Sequence, residues 1–317
     1  MKKKLYSFTI LFILALFILS IFTSSGHLTN TINFSTELFI KNIFPSLFPM
    51  FIISSLLVEI DLPKVMGSVF KRPMKMLFNT KGEGAFIFFL SMITGFPSSA
   101  KYLDDLMEKG QINKRDCEKI LMFTFFSNPL FIVNTIGNTF LGDIRYGYFL
   151  LSAHIMGNIF VGITFRGFNK NITNDNMKTY NLSYLNNKIN ECNLFKVLLN
   201  SIKSSIDILL NIFGIVTFSL IVISLVFNDP SSFYQNVLVG LIEMTTGLKY
   251  LSLGGADITV KLMLSAFFIS FGGFSIHFQI MSILTKRKVK YLPFLISRVF
   301  HALYSMIFIV ILMILFK

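Results

Sequence analysis

The side chains that could do chemistry in this sequence are few, and most sit inside or beside apolar runs. In Gly95-Phe96-Pro97-Ser98-Ser99-Ala100-Lys101 a Gly-Phe-Pro break precedes two hydroxyls and a lysine. A helix restarting near Ser98 would turn its free N–H groups and positive dipole end toward the break, which suits an anion, and Lys101 would add charge. The plainer reading is a helix cap beside an interfacial lysine. A second break, Gly272-Gly273-Phe274-Ser275, leads to His277 and Gln279. Adjacent glycines permit close backbone approach or positive φ at a ligand, or close packing of helices through small residues. Ser127-Asn128-Pro129-Leu130 lies within an apolar run, where proline frees a carbonyl that Asn128 can serve; a kink explains it as well as a site does.

Three charged or titratable positions complete the set. Glu243 stands among apolar residues, which is a functional hypothesis for a membrane segment and unremarkable for a solvated one. Arg298 and His301 lie one helical turn apart on one face of the last apolar run. A buried arginine needs an anionic partner, from the protein or from a ligand, although Arg298 is close enough to the start of its run to snorkel. His154 and His301 are proton-relay candidates or hydrogen-bonded core histidines. Together Ser98, Ser99, Lys101, Asn128, Glu243, Gly273, Ser275, Gln279, Arg298 and His301 form the expected binding set.

Other chemistry has no support. The sequence contains no G-x-S-x-G, H-E-x-x-H or P-loop string, so no enzyme activity, cofactor or ATP-driven step is expected. Cys117 and Cys192 have no Cys or His neighbour at metal-ligand spacing, and no metal site or disulfide framework is expected.

The elements that must position these residues are membrane helices. Of 317 residues 53% are hydrophobic and 14% charged; mean hydropathy is +0.67. A soluble domain carries about 25% charged residues, so soluble, disordered and nucleic-acid-binding classes are excluded. The formal charge of +13 then reads as loops on the cytoplasmic side. Apolar runs cover Leu5–Phe22, Leu38–Val58, Ile120–Leu141, Tyr146–Phe168, Ile206–Phe227 and Tyr291–Phe316, each near the 20 residues or so that span about 30 Å. The first reads as a retained helix with its N-terminus inside, since no A-x-A-like cleavage site follows it. Ala85–Met107 and Leu262–Leu284 are interrupted by the Gly-rich breaks and read as re-entrant hairpins or broken helices. Leu62–Phe78 and Phe233–Leu251 read as interfacial amphipathic helices, and residues 169–193 as a polar cytoplasmic linker. The expected fold is an all-α polytopic membrane protein with about six to seven transmembrane helices plus two re-entrant or broken hairpins.

The chain also resembles itself. Asn42-Ile43-Phe44 and Asn211-Ile212-Phe213 each open a span, and each span leads through a mixed segment to a Gly-Phe break (Gly95-Phe96, Gly273-Phe274), a basic loop and a further span. Residues 38–168 and 194–317 are thus expected to be two repeats, after a first helix at 1–24. Following the chain from an internal N-terminus, the repeats run in opposite directions, the pattern of a secondary transporter with its site near the midplane. Lys286-Arg287-Lys288 and Lys290 oppose this, because the same path leaves them outside unless Phe233–Leu251 spans.

Phe44-Pro45-Ser46-Leu47-Phe48-Pro49-Met50-Phe51, Gly95-Phe96-Pro97-Ser98-Ser99-Ala100-Lys101, Ser127-Asn128-Pro129-Leu130-Phe131 and Gly272-Gly273-Phe274-Ser275 resemble the YlbJ-type sporulation integral membrane proteins, also called SpoVV. These contain the nucleoside-recognition Gate domain, which is similar to part of the concentrative nucleoside transporters. The resemblance covers nearly the whole chain after the first helix. It implies a spore-forming bacterium, the outer forespore membrane, and transport of dipicolinate from the mother cell toward the forespore. A planar aromatic dianion agrees with half-helix N-termini, Lys101, Arg298 and phenylalanine rings. The alternatives are a nucleoside, for which Glu243, Asn128 and Gln279 would supply polar contacts, and a non-transporting structural or signalling protein. The expected partners are therefore a small anion or a nucleoside and the lipid bilayer, with no nucleic acid; a homo-oligomer is an analogy to other transporters.

Overall fold

The computed structural model describes Ile18 and residues 25–168, 180–227 and 232–316. The expected helix at Leu5–Phe22, Ile18 apart, and most of the polar part of the linker lie outside these residues. Every regular element among the described residues is helical. Five helices are long and apolar enough to cross a membrane: Leu28–Glu59, Ile144–Gly167, Leu194–Val226, Ile258–Arg287 and Tyr291–Leu315, of 24 to 33 residues. At 1.5 Å per residue each exceeds a hydrocarbon core of about 30 Å.

The first of these joins α1 (Ser25–Leu38) to α2 (Phe44–Glu59) through a π-helical turn at Phe39–Ile43. Pro45 cannot donate the helical hydrogen bond back to this turn, which is where a wider turn costs least. Then come α3 (Leu62–Val69) and a second π-helical turn, Met74–Phe78. Helices α4 (Gly84–Thr94) and α5 (Ser98–Glu108) fold back on each other at Gly95-Phe96-Pro97. The Tyr102 hydroxyl donates to Thr94 Oγ1 at 3.1 Å, and the Phe86 and Tyr102 rings meet edge to face.

Residues 120–141 depart from the expected uninterrupted span. Helix α6 (Lys114–Leu121) ends, Thr124–Asn128 has no regular structure, and a π-helical segment follows at Phe131–Phe140. Pro129 cannot donate to the preceding turn, and Asn128 caps the new segment by accepting from the N–H groups of Leu130 (2.8 Å) and Phe131 (3.3 Å). Helix α7 (Ile144–Thr164) follows, and in the linker α8 (Leu182–Glu191). That part of the linker is docked: Tyr184 donates its hydroxyl to Asp61 at 2.6 Å, and the Tyr180 N–H donates to Ser68 at 2.9 Å.

Helix α9 (Leu194–Val226) leads to α10 (Phe233–Ile242) and α11 (Met244–Leu253). These two form a tight hairpin with Glu243 at its tip, where the expectation was an interfacial helix. A Cβ placed on Gly247 would lie 2.1 Å from the Cα of Gly240, so the two backbones touch. Conversely, α12 (Ile258–Phe271) and α13 (Gly273–Leu284) run on from each other through the break at Gly272 and form one 30-residue path with the turn after them. Helix α14 (Tyr291–Leu315) closes the fold.

Two long pairs set the frame. Ser35 and Phe39 meet Thr217 and Phe213 respectively, so the α1–α2 helix and α9 are antiparallel. Phe165, Phe160 and Phe149 meet Phe300, Phe308 and Phe316, so α7 and α14 are antiparallel. At one end of the molecule Arg287 pairs with Asp104 and, at 3.2 Å, with Glu108, while the Lys290 N–H donates to Glu118 at 3.0 Å. The Lys286–Lys290 cluster therefore sits at the same end as the basic 109–119 loop. The Gly272 break does not reverse the chain, which brings this cluster and that loop together.

Candidate functional site

Four interruptions of helix meet in the interior. Gly95, at the first hairpin tip, has φ +81°, and a Cβ there would lie 2.6 Å from the Asn128 amide nitrogen. The tip therefore rests directly on the non-helical stretch Thr124–Asn128, at Asn128. Gly272 has φ +91°, and a Cβ there would lie 2.3 Å from Phe125 Cζ. Both positions need glycine, for backbone conformation and for space. Gly273 in turn lies against Gly240, Ile242 and Met244, at the tip of the second hairpin. Phe125 is the hub: its ring stacks on Phe96 at 4.7 Å and meets Phe294 edge-on at 5.7 Å.

Arg298 lies over this hub. Its guanidinium is fully buried, 4.5 Å from the Phe125 ring centroid and 5.4 Å from that of Phe294. It donates to the Met122 carbonyl, to His301 Nδ1 at 2.9 Å, and weakly to Ser297 Oγ at 3.3 Å. No carboxylate pairs with it among the described residues. Met122 stands where α6 has unwound, so its carbonyl is free to accept. The anionic partner expected of a buried arginine is replaced by ring faces, one carbonyl and one imidazole, which solvate the cation and leave its charge in place.

A hydrogen-bond network holds His301 from behind. Its Nε2–H donates to the His154 carbonyl at 2.8 Å. His154 Nε2 accepts from the Ser127 N–H at 3.0 Å, so its Nδ1–H donates to Ser270 Oγ at 2.9 Å. Ser270 donates to Ser305 at 2.8 Å, and Ser305 to the Ala153 carbonyl at 3.3 Å. Both histidines are thus oriented core groups, and the network ties α7, α12 and α14 to the non-helical stretch.

Two half-helices begin at this level without a side-chain cap, α5 at Ser98 and α13 at Gly273. They pack side by side. Their C-terminal ends are joined by Arg287 to Asp104 and Glu108, so they are parallel and their positive ends lie together at the breaks. The Ser99 hydroxyl is buried with no hydrogen-bond partner, and Ser98 Oγ has only the Tyr102 hydroxyl beside it.

The other expected residues serve the scaffold. Lys101 is buried against Asp105, and Ser55 bridges them, accepting from Lys101 at 3.0 Å and donating to Asp105 at 3.1 Å. Its charge is neutralised from within. The Glu243 carboxylate caps α11, accepting from the N–H groups of Thr245 (3.1 Å) and Thr246 (2.7 Å) and from the Thr246 hydroxyl (2.7 Å). Asn128 is a cap, and its amide reaches the Thr94 carbonyl at 3.5 Å. Gln279 reaches only Ser275, at 3.4 Å. Sequence reasoning missed Phe125 and the Met122 carbonyl; the Asn128-Pro129 pair was the available signal, three residues downstream.

Outside the apolar spans, Lys119 closes the basic end of the molecule. It donates to the carbonyls of Asn79 at 2.9 Å and Arg166 at 2.7 Å. Burial, with the Arg166 charge beside it, pulls its ammonium down to about 8.

The chain is similar to the sporulation integral membrane protein YlbJ of Bacillus subtilis (strain 168), with 29% identity over 300 aligned residues covering 85% of this chain and 74% of that protein. No protein-family model and no solved structure matches it. The apolar helices support an integral membrane protein, the class to which that similar protein belongs.

Proposed function

We propose that this protein carries a small carboxylate across the membrane by alternating access of two inverted halves, 38–168 and 194–317. The observation that supports it most is Arg298: a guanidinium buried at the crossing of four breaks, with no carboxylate beside it among the described residues. A cation so placed is costly unless something anionic visits it.

The architecture fits this reading. Each half pairs a long helix (α1–α2; α9), a helical hairpin (α4–α5; α10–α11), a broken apolar segment (120–140; α12–α13) and a closing helix (α7; α14). Corresponding long helices are antiparallel, as inversion requires. The repeat is offset from the sequence expectation: Gly95-Phe96 corresponds to Glu243, and Asn128 to Gly272. The hairpin arm α5 packs on α13 of the other half, and α11 packs on the Phe131–Phe140 segment. With both hairpins re-entrant, all basic loops share the cytoplasmic side, including Lys286–Lys290.

Dipicolinate is the substrate that best joins the resemblance to the chemistry. It is a flat aromatic dianion, and the site offers Phe96, Phe125, Phe294, a guanidinium and two helix N-termini. On this reading the protein moves dipicolinate from the mother cell through the outer forespore membrane. A nucleoside fits less well, since Glu243, Asn128 and Gln279 already spend their polar groups on backbone and neighbours. The test is dipicolinate accumulation in spores carrying Arg298→Ala, with membrane levels of the protein checked. Accumulation is expected to fall to background. Normal accumulation, or uptake of uridine and not dipicolinate by proteoliposomes, rules the assignment out.

A further inference from the structure

The hydrogen-bond directions around Arg298 are fully determined, and they have a consequence for energy coupling. His301 Nε2 faces the His154 carbonyl at 2.8 Å, so that nitrogen bears the hydrogen. Its Nδ1 faces an arginine N–H at 2.9 Å, so that nitrogen is a bare acceptor. His301 is therefore neutral here, and its free lone pair is spent on Arg298. A proton on Nδ1 would break this bond and set an imidazolium against a guanidinium, with no carboxylate paired to either among the described residues.

An arriving carboxylate changes both conditions at once. It draws the Arg298 N–H onto its own oxygen, which frees Nδ1, and its negative charge makes a second cation favourable. Resting on the carboxylate-carrier reading, we infer that His301 binds one proton whenever a dicarboxylate occupies Arg298, so that the proton is the ion coupled to transport. The proton comes from water on the side from which the substrate enters and adds to Nδ1; no other bond changes. The empty site has charge +1 from Arg298. The loaded site has Arg298, a protonated His301 and a dianion, which sum to zero, a state suited to moving through an apolar interior.

His154 cannot replace His301 in this role. Its acceptor nitrogen is held by the backbone N–H of Ser127, which has nowhere to go. The groups facing His301 are few. From α7 comes His154, with ring centroids 4.6 Å apart; from α12 comes Ser270, which does not titrate. The Met122–Phe125 stretch meets Arg298 with a carbonyl and a ring, and α14 itself contributes Arg298 to His301. His277 stands behind the Phe294 ring, its Nδ1 held by the Tyr291 hydroxyl at 3.0 Å. None supplies a carboxylate that would titrate in place of His301.

The experiment measures dipicolinate affinity for the purified full chain across a pH range in which the ligand remains a dianion. Because the complex holds one more proton than the free protein, affinity should rise about tenfold for each pH unit lowered. In His301→Gln, whose amide can still accept from Arg298 and donate to the His154 carbonyl, affinity should be weaker and independent of pH. Proteoliposomes should accumulate dipicolinate when the outside is acidic, and the variant should lose that drive. Binding by the wild type without a pH slope overturns proton coupling and leaves the carboxylate reading standing. A slope that survives His301→Gln overturns the role of His301. An absence of dipicolinate binding at every pH overturns the carboxylate reading itself and this inference with it.

Discussion

Lys101 and Arg298 look alike in the sequence and differ in the structure. Both are cations in apolar surroundings, and both are buried to 1% exposure or less. Lys101 has its counter-charge one helical turn away in Asp105, and Ser55 bridges the two. Arg298 has rings, a carbonyl and a neutral imidazole. The lysine is a closed pair that holds α5 against α2. The arginine is solvated and uncompensated. Burial of a cation therefore says little about function until its counter-charge is located.

The contrast can be broken or sharpened by mutation, most severely at the pair. Lys101→Ala should destabilise the protein by about 3–5 kcal/mol, because Asp105 is left buried and unpaired. The double variant Lys101→Met, Asp105→Leu should recover most of that loss and still transport, since the pair's role is to be neutral. Thermal unfolding in detergent, followed by uptake, reads both. A double variant that is stable yet inactive would restore Lys101 to the site.

A smaller effect is expected at the hub. Gly272→Ala puts a methyl group against Phe125 at a residue with φ +91°. The left-handed backbone and the overpacking should together cost about 2–4 kcal/mol. The displaced Phe125 ring should also weaken dipicolinate binding, a coupling that the Lys101 pair should not show.

The smallest effect concerns Lys119, which has neither a ligand role nor a close counter-ion. Its folded-state value near 8 lies below the ordinary 10.5. Between these limits the unfolded chain binds more protons than the folded one, so its contribution to stability rises as pH goes from about 8 to 10.5 and is flat below. Lys119→Met should remove that rise. Denaturation midpoints taken across this pH range would show it, and an unchanged rise would contradict the assignment.

Much of this was legible in the sequence, for reasons that can be named. The breaks at Gly95-Phe96-Pro97 and Gly272-Gly273 announce themselves because only glycine and proline tolerate such backbone. Lys101 and Asp105 have the i, i+4 spacing of a helical ion pair, yet Lys101 was expected to serve an anion. The second hairpin was hidden, since its tip is a single Glu243 in extended conformation between two short apolar arms, with no proline and no glycine at the turn. The unwound stretch was hidden for a different reason. Thr124-Phe125-Phe126 is as apolar as a helix core, and only the Asn128-Pro129 signal marked it. The Met122 carbonyl under Arg298 joins residues 176 positions apart, a contact that no local pattern encodes.

The central claim is that Arg298 holds a carboxylate at the meeting point of the breaks. Calorimetric titration of dipicolinate into purified protein tests it most directly, comparing wild type, Arg298→Gln and the double variant Lys101→Met, Asp105→Leu. Arg298→Gln should bind roughly 100-fold more weakly, the worth of about 3 kcal/mol for a buried charge-assisted contact, while the double variant binds as the wild type does. Wild-type affinity in Arg298→Gln would contradict the account.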